Sequence, residues 1–347
     1  MIYSQLGGTP AGKRLERIHN SPNFCNGAFQ NIHSTPQLAE GYNFGKVMFD
    51  FFFRKPKNIK PPKPIPFVKT DLKTLPLKTD LLVWFGHSSY YLQLNGKRFL
   101  IDPVFSNSAS PIPNTNKPFK GSNNYFAEDI PEIDYLLISH DHYDHLDYET
   151  IKTLKPKVKQ IITGLGVGAH FEAWWYDPEL IHELDWNQTL ELDNDITLNT
   201  VPARHFSGRG FKRNNTLWLA FMLQTEDCNL FLGGDSGYDT HFKEIGNKFG
   251  PFDMALLENG QYNLAWHYIH MLPEEVLQAA QDLRAKSLFP LHSSKFALAL
   301  HAWNEPLAKI SELNEEVNLP LVTPRIGEVV YIGDTSQRFS KWWTEIQ

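Results

Sequence analysis

The stretch SHDHYDHLD, Ser139 to Asp147, decides the reading of this chain: His140, Asp141, His142, Asp144, His145 and Asp147 crowd into nine residues. His140 and His142 stand two apart, which in an extended segment sends both rings to the same side. Asp144 and His145 are neighbours and point in different directions, so the loop suits two adjacent ions better than one. Imidazole nitrogen with carboxylate oxygen is a donor set for zinc, with iron and manganese also fitting. A single histidine here would read as an ordinary surface or core residue. The His-x-His-x-Asp-His group together does not.

The surroundings say how the loop is held. DYLLIS (134–139) is a continuous apolar run, as in a strand buried on both faces. DYETIKTL (147–154) reads as a helix with Asp147 as its cap. The alternation repeats outward. LLVWFG is strand-like, and SYYLQL, Asn95-Gly96 and KRFLIDP form a hairpin with a two-residue turn. VKQIIT is a strand and GVGAHFEAWW a helix. ITLNTVPARH, TLWLAFMLQT, NLFLGGD and MALLEN are strands. PEEVLQAAQDLRA is a helix opened by Pro273, SLFPLH a strand, 305–316 a helix, and GEVVYIG a last strand. This is an α+β pattern, with sheets packed together and helices on the outer faces. Further candidate ligands follow strands: His205, Asp235 in Gly-Gly-Asp-Ser-Gly, and His292. Several strands thus carry ligands to one edge. Taken singly, Gly-Gly-Asp-Ser-Gly could be an ordinary turn; its place in this series of strand ends favours Asp235 as a ligand.

With 347 residues, 41% hydrophobic and 21% charged, the chain has ordinary globular composition for one large or two smaller domains. A net charge of -6 argues against nucleic acid as a partner. Cys25 and Cys228 are too far apart for a thiolate pair motif and read as two free thiols. The opening residues have no long apolar core and no 18-residue apolar run occurs, so neither a signal peptide nor a transmembrane segment is expected. The expected location is cytoplasmic or peripheral to a membrane. Residues 1–79 read as an irregular arm and 80–347 as the catalytic domain. Inside the arm, Phe49, Phe51, Phe52 and Phe53 are followed by Arg54, Lys55, Lys57, Lys60 and Lys63. Pro56, Pro61, Pro62, Pro64 and Pro66 keep that half extended. The segment reads as a linker or clamp, and aromatic rings followed by cations also fit an interfacial anchor. The arm leaves open a homodimer in which it is swapped between subunits.

SHDHYDHLD matches the signature of the metallo-β-lactamase superfamily, and the order and spacing of His205, Asp235 and His292 match its later ligand motifs. More narrowly, WFGHSSYYLQLNGKRFLIDPVFS, LISHDHYDHLDY, LGGDSGY, EIGNKFGPFD, HMLPEEV and LHSSKFAL resemble the N-acylphosphatidylethanolamine-hydrolysing phospholipase D branch, over about residues 80 to 332. The resemblance implies an αβ/βα sandwich of two mixed β-sheets flanked by helices. It implies two zinc ions, one held by His140, His142 and His205, the other by Asp144, His145 and His292, with Asp235 bridging. His270 would act near the reaction centre, His267 is its rival, and His87 would support the site from behind. One departure is Arg204-His205-Phe206, which stands where a more glutamine-histidine-tryptophan-like segment is expected.

Two metals about 3.5–4 Å apart can share a hydroxide that is nucleophilic at neutral pH. No Gly-x-Ser-x-Gly motif suggests a serine nucleophile. The expected enzyme is a phosphodiesterase of the phospholipase D type. It would release N-acylethanolamine and phosphatidic acid, with Asp144, Asp235 and His270 catalytic. Tyr148, one turn past the ligands, is a candidate for contacting the phosphate. The rival enzyme reading keeps the site and exchanges the lipid for a soluble lactone, ester or phosphodiester. A metal-binding scaffold without activity is disfavoured, because all seven ligands are present.

Overall fold

The first 53 residues contain more regular structure than their lack of periodicity suggests. The computed structural model describes residues 2–112, 114–210 and 212–346; Met1 and Gln347, the outermost residues of the expected arm and domain, lie outside it. Helices α1 (Ile2–Gln5) and α2 (Gly12–His19) are followed by a small hairpin, β1 (Phe24–Cys25) and β2 (Ala28–Phe29), and then by α3 (Phe44–Phe53). The expectation of an irregular arm is corrected here, and the cause is physical. Among its residues α2 buries only Ile18; it is fixed by ion pairs from Arg14 to Glu172 and Glu183. Tertiary contact stabilises this short helix where an apolar stripe would be expected to. In α3 the apolar residues run nearly all round, so no period shows. Asn43 caps it, accepting from the Lys46 N–H at 2.9 Å. Beyond Arg54 the proline-rich stretch has no regular element until the isolated bridge between Phe67 and Ile326.

The first large sheet begins with β3 (Leu81–Trp84), β4 (Tyr90–Leu94) and β5 (Lys97–Ile101). Asn95 (φ 46°) and Gly96 (φ 75°) make the two-residue turn between β4 and β5, and Leu94 pairs with Lys97. Next come β6 (Ile133–Ile138), α4 (Tyr148–Leu154), β7 (Val158–Gly164), α5 (Gly168–Ala173) and β8 (Ile181–Leu184). The second sheet is built from β9 (Thr189–Leu192), β10 (Ile196–Val201), β11 (Ala220–Gln224), β12 (Asn229–Leu232), β13 (Met254–Glu258) and β14 (Leu288–Leu291). Helix α6 (His241–Phe249) lies between β12 and β13, and α7 (Pro273–Asp282) between β13 and β14. Helix α8 (Glu305–Val317) and strand β15 (Val329–Tyr331) follow, and after them a single 3-10 turn (Trp342–Thr344) packs Trp342 and Trp343 into the core. The seven-stranded order is β15-β3-β4-β5-β6-β7-β8 and the six-stranded order β14-β13-β12-β11-β10-β9. Both sheets are mixed: β5 to β8 and β12 to β14 run parallel, the rest antiparallel.

Strand alternation sorts the core into layers. Leu82, Trp84, Leu92 and Leu137 of the first sheet meet Leu198, Phe221, Leu232 and Leu256 of the second in one buried cluster between the sheets. The alternate residues Leu81, Val83, Leu136 and Ile138 pack outward with Ile151 and Leu154 of α4 and Phe171 of α5. On the far side Met222, Phe231 and Leu257 pack with Phe242, Val276 and Ile310 of α6, α7 and α8. The result is the expected αβ/βα sandwich. Both faces of the central strands are buried, which is why they read as continuous apolar runs. Both cysteines are free, Cys25 exposed and Cys228 buried. No helix among the described residues is long and apolar enough to cross a membrane.

Candidate metal centre

Six strand ends converge on one rim. His87 follows β3, the loop from His140 to His145 follows β6, His205 follows β10, Asp235 follows β12, Glu258 ends β13, and His292 directly follows β14. Pro202, with no N–H for the ladder, lies just past the end of β10 ahead of His205. The ligand loop and His87 therefore hang from one sheet and the other four residues from its partner.

The side chains meet in three overlapping groups whose donor atoms lie within 4.8 Å of one another: His140, His142, His205 and Asp235; His87, Asp144, His145 and His292; and Asp235, Glu258, His270 and His292. In the first, His140 Nε2 is 2.9 Å and His205 Nε2 3.2 Å from His142 Nδ1. Asp235 Oδ2 is 3.9 Å from His140 Nε2 and 3.7 Å from His205 Nε2. Its other oxygen, Oδ1, is 3.2 Å from His145 Nε2 and 3.0 Å from His292 Nδ1. One carboxylate thus faces both halves. All seven residues of the expected ligand set are gathered here.

The site fits metal ions on its own chemistry. Tetrahedral coordination at about 2.0 Å would put neighbouring donors roughly 3.3 Å apart, close to these spacings. His145 Nε2 and Asp235 Oδ1 are buried without a hydrogen-bond partner, although they face each other. Orphaned polar atoms of this kind are costly unless something binds them. Burial holds His140, His205 and His292 well below the usual histidine range, and neighbouring imidazoles add to the effect. Burial likewise lowers His142 to about 4. Burial thus favours the neutral form of these rings, the form that ligates. Burial pushes Asp235 up to about 6 against the pull of His145. Burial also opposes charge on His145, but Asp235 and Asp144 outweigh it and hold the ring well above its usual value. Asp144 is held low, with His145 and the His87 bond overcoming its burial.

A supporting layer fixes which nitrogen faces inward. His145 Nδ1 donates to Asp102 Oδ2 at 2.8 Å, and Asp102 also accepts from the Ser139 N–H (2.8 Å) and hydroxyl (2.6 Å). His205 Nδ1 donates to the Ile269 carbonyl at 2.9 Å, while Asn31 brackets the His205 backbone on both sides. His87 Nε2 donates to Asp144 Oδ2 at 2.9 Å, the supporting place expected of it. His270 Nδ1 donates to Glu258 Oε2 at 2.6 Å, and Glu258 Oε1 accepts from the Met271 N–H at 2.7 Å. His87, Asp102 and His292 all have positive φ, at 56°, 42° and 64°. Such strain in non-glycine residues clusters at sites that the surrounding structure over-determines.

Glu258, Asp102, Arg209 and Asn31 were not singled out in the sequence. The available signal for Glu258 and Asp102 was weak: each is a carboxylate closing an apolar run, like Asp235. The two histidine rivals separate cleanly. His270 joins the cluster, whereas His267 is drawn toward Glu275, with Nδ1 3.9 Å from Oε1. Tyr148 is not at the centre. It is 6% exposed, packed against Trp174 with ring centroids 5.2 Å apart, inside the layer under α4. As the first residue of α4 it is buried with Ile151 and Leu154 of the same helix. Asp147 holds the cap position of α4, yet its carboxylate makes no cap bond; it accepts from the Ser106 N–H and the Thr150 hydroxyl. In the departing segment, Phe206 stacks edge-on to His142 at 4.4 Å. Arg204 reaches Thr35 and the carbonyls of Ser34 and Tyr238.

Residues 97–293 match the beta-lactamase superfamily domain. An uncharacterized protein of Mycobacterium tuberculosis is 34% identical over 99% of this chain and 94% of its own. The N-acyl-phosphatidylethanolamine-hydrolyzing phospholipase D 1 of Caenorhabditis elegans is 31% identical over 71% of this chain and 74% of its own. The solved structure of Igni18, a metallo hydrolase from Ignicoccus hospitalis, covers 73% of this chain and 97% of its own with a TM-score of 0.57 at 20% identity, a likeness of fold.

Proposed function

Since the chain belongs to the metallo-β-lactamase superfamily of metal-dependent hydrolases, we propose that it is a dinuclear zinc phosphodiesterase of the phospholipase D type, acting on N-acylphosphatidylethanolamine. The observation that carries this reading is the pair of donor groups sharing Asp235. His140, His142 and His205 would hold one ion, Asp144, His145 and His292 the other, and Asp235 both. Such a pair supplies, when bound, an acidified water and positive charge for the phosphoryl oxygens.

The chain's own residues supply the rest. Asp144, anchored by His87, is placed to orient the attacking water as well as to ligate. His270 would relay a proton to the leaving oxygen: with Glu258 2.6 Å from Nδ1, its free Nε2 would take the proton that the attacking water loses and hand it to the leaving oxygen. Phe206, over His142, helps keep bulk water from that side.

The lipid substrate is supported by α3. Phe44, Phe52 and Phe53 are 70%, 69% and 74% exposed, and Phe49 and Met48 join them on the surface. Phe51 stacks on Trp266 at 6.0 Å, in the turn that leads to His270, and the neighbouring Leu264 is 60% exposed. Exposed apolar groups of this size mark an interaction surface. With Lys46 and Arg54 to Lys63 beside them, they suit an anionic lipid surface on which the enzyme sits peripherally.

The test is hydrolysis of N-acylphosphatidylethanolamine in mixed micelles, with metal measured on the same sample. Release of phosphatidic acid with about two zinc per chain is expected. Two metals without lipid cleavage would overturn the substrate and move the reading to a soluble ester, lactone or phosphodiester.

A further inference from the structure

Arg209 is a buried cation in an unusual position. It is 5% exposed and forms no ion pair among the described residues. Its guanidinium is satisfied by carbonyls. Nη1 donates to Asp141 O at 2.8 Å and Leu146 O at 2.7 Å, close to the two ends of the ligand loop. Nε and Nη2 both donate to Gln5 O, at 2.9 and 2.7 Å. Its faces are covered by Tyr143 (4.1 Å) and Trp174 (5.3 Å). Tyr143 in turn donates to the Arg209 carbonyl.

Gln5 is the last residue of α1, so its carbonyl has no partner within that short helix. The same stretch is pinned elsewhere: Trp174 Nε1 donates to Ser4 O at 2.7 Å. Gly7 and Gly8 then press on α5 so closely that a Cβ at Gly7 would lie 2.1 Å from His170 Nδ1, and one at Gly8 2.2 Å from the Ala169 carbonyl. The second clash is with backbone, which cannot swing away.

We propose that residues 2–8 latch the ligand loop through Arg209, and that Arg209 is a positioning residue for the metal centre. With the segment docked, all the guanidinium bonds are made and the loop bearing His140, His142, Asp144 and His145 is clamped near both ends. With it displaced, Nε and Nη2 lose Gln5 inside a buried site. An unsatisfied buried cation is costly, so the guanidinium must turn toward water and release the Asp141 and Leu146 carbonyls. The loop then loosens and the ions leave faster. Metal in return favours the docked segment, because linkage is reciprocal. This rests on the metal reading of the centre.

The test uses the full chain loaded with zinc, and reads the rate of transfer to a chromophoric chelator. Arg209→Lys keeps the charge and removes the fork. Gly8→Val leaves every ligand and Arg209 in place and dislodges the segment. Each is expected to speed release about tenfold, the size seen when a metal's supporting groups are lost. The double variant should be little faster than either alone, since both act through one contact. Ile310→Ala, a cavity in the distant α8 layer, should lower the melting temperature without faster release. Release at the wild-type rate from both variants, effects that multiply, or equal acceleration by Ile310→Ala would each overturn the latch. A wild-type chain that binds no zinc would overturn the metal reading itself, and the latch with it.

Discussion

His140 and Asp144 present their donors to the cluster while their backbones sit in a loop fixed by other contacts. His140→Ala and Asp144→Asn are therefore expected to lose bound metal and turnover yet keep the circular-dichroism spectrum of the parent. A variant with full metal and full rate would sink the assignment. His270→Gln separates the roles: it should retain metal and lose about 10²–10⁴-fold in kcat, the contribution of a proton donor. Lys295 offers a different test. It is 1% exposed and donates to the Phe85 and Val104 carbonyls, and burial lowers it to about 7, with Asp147 pulling weakly the other way. The unfolded chain keeps its proton up to about 10.4. Between those values the unfolded state binds more protons, so stability rises as pH rises from about 7, and is lost as it falls back. Melting temperatures of wild type and Lys295→Met, compared from pH 6 to 9.5, should show the wild type gaining on the variant above pH 7. Parallel curves would contradict this. The dense ligand loop was legible because several donors share one short segment. Glu258 and Arg209 were not, because a lone Glu or Arg takes its meaning from a partner distant in sequence, here His270 and Gln5.

Among elements, the strands were legible where both faces are buried, since an apolar run needs no partner to be recognised. The edge strands β8 and β9 were missed: they are half exposed and carry His182, Glu183 and Glu191. Helix α2 was missed because it relies on Arg14 and its two glutamates. Helix α3 shows the opposite difficulty. Its aromatic cluster was conspicuous, but a helix apolar nearly all round with no buried residue has no core-facing stripe to reveal it. That same feature makes it testable. Each exposed phenylalanine that enters a lipid interface contributes on the order of 1.5–3 kcal/mol. Phe52→Ser with Phe53→Ser should weaken binding to anionic vesicles by at least about 100-fold, while hydrolysis of a small soluble phosphodiester and the melting temperature stay near wild type. Equal vesicle binding by parent and variant would remove α3 as the anchor.

Over the whole molecule, the centre joins two halves that the sequence could describe but not assemble. Strand count and flanking helices were readable; which strand neighbours which was not, because β15 closes onto β3 from the far end of the chain. The consequence is mechanical. One sheet supplies His140, His142, Asp144 and His145, the other His205, Asp235 and His292, so ions bound in this cluster would tie the two sheets together. Without them, the imidazoles and carboxylates of the cluster are buried with Asp235 Oδ1 and His145 Nε2 unpartnered. Binding that exists only in the folded state stabilises it by about 4 kcal/mol at a free concentration 1,000 times the dissociation constant. In a domain of this size that corresponds to a melting shift of several degrees per ion. The stripped protein should therefore melt at a lower temperature, and zinc should restore the loss. His270→Gln, which keeps every ligand, should show the same shift, whereas Asp235→Asn, which weakens both halves at once, should show little of it. If stripping leaves the melting temperature unchanged in the wild type, the ions do not bridge the sheets, and the cluster must be held together by its hydrogen bonds alone.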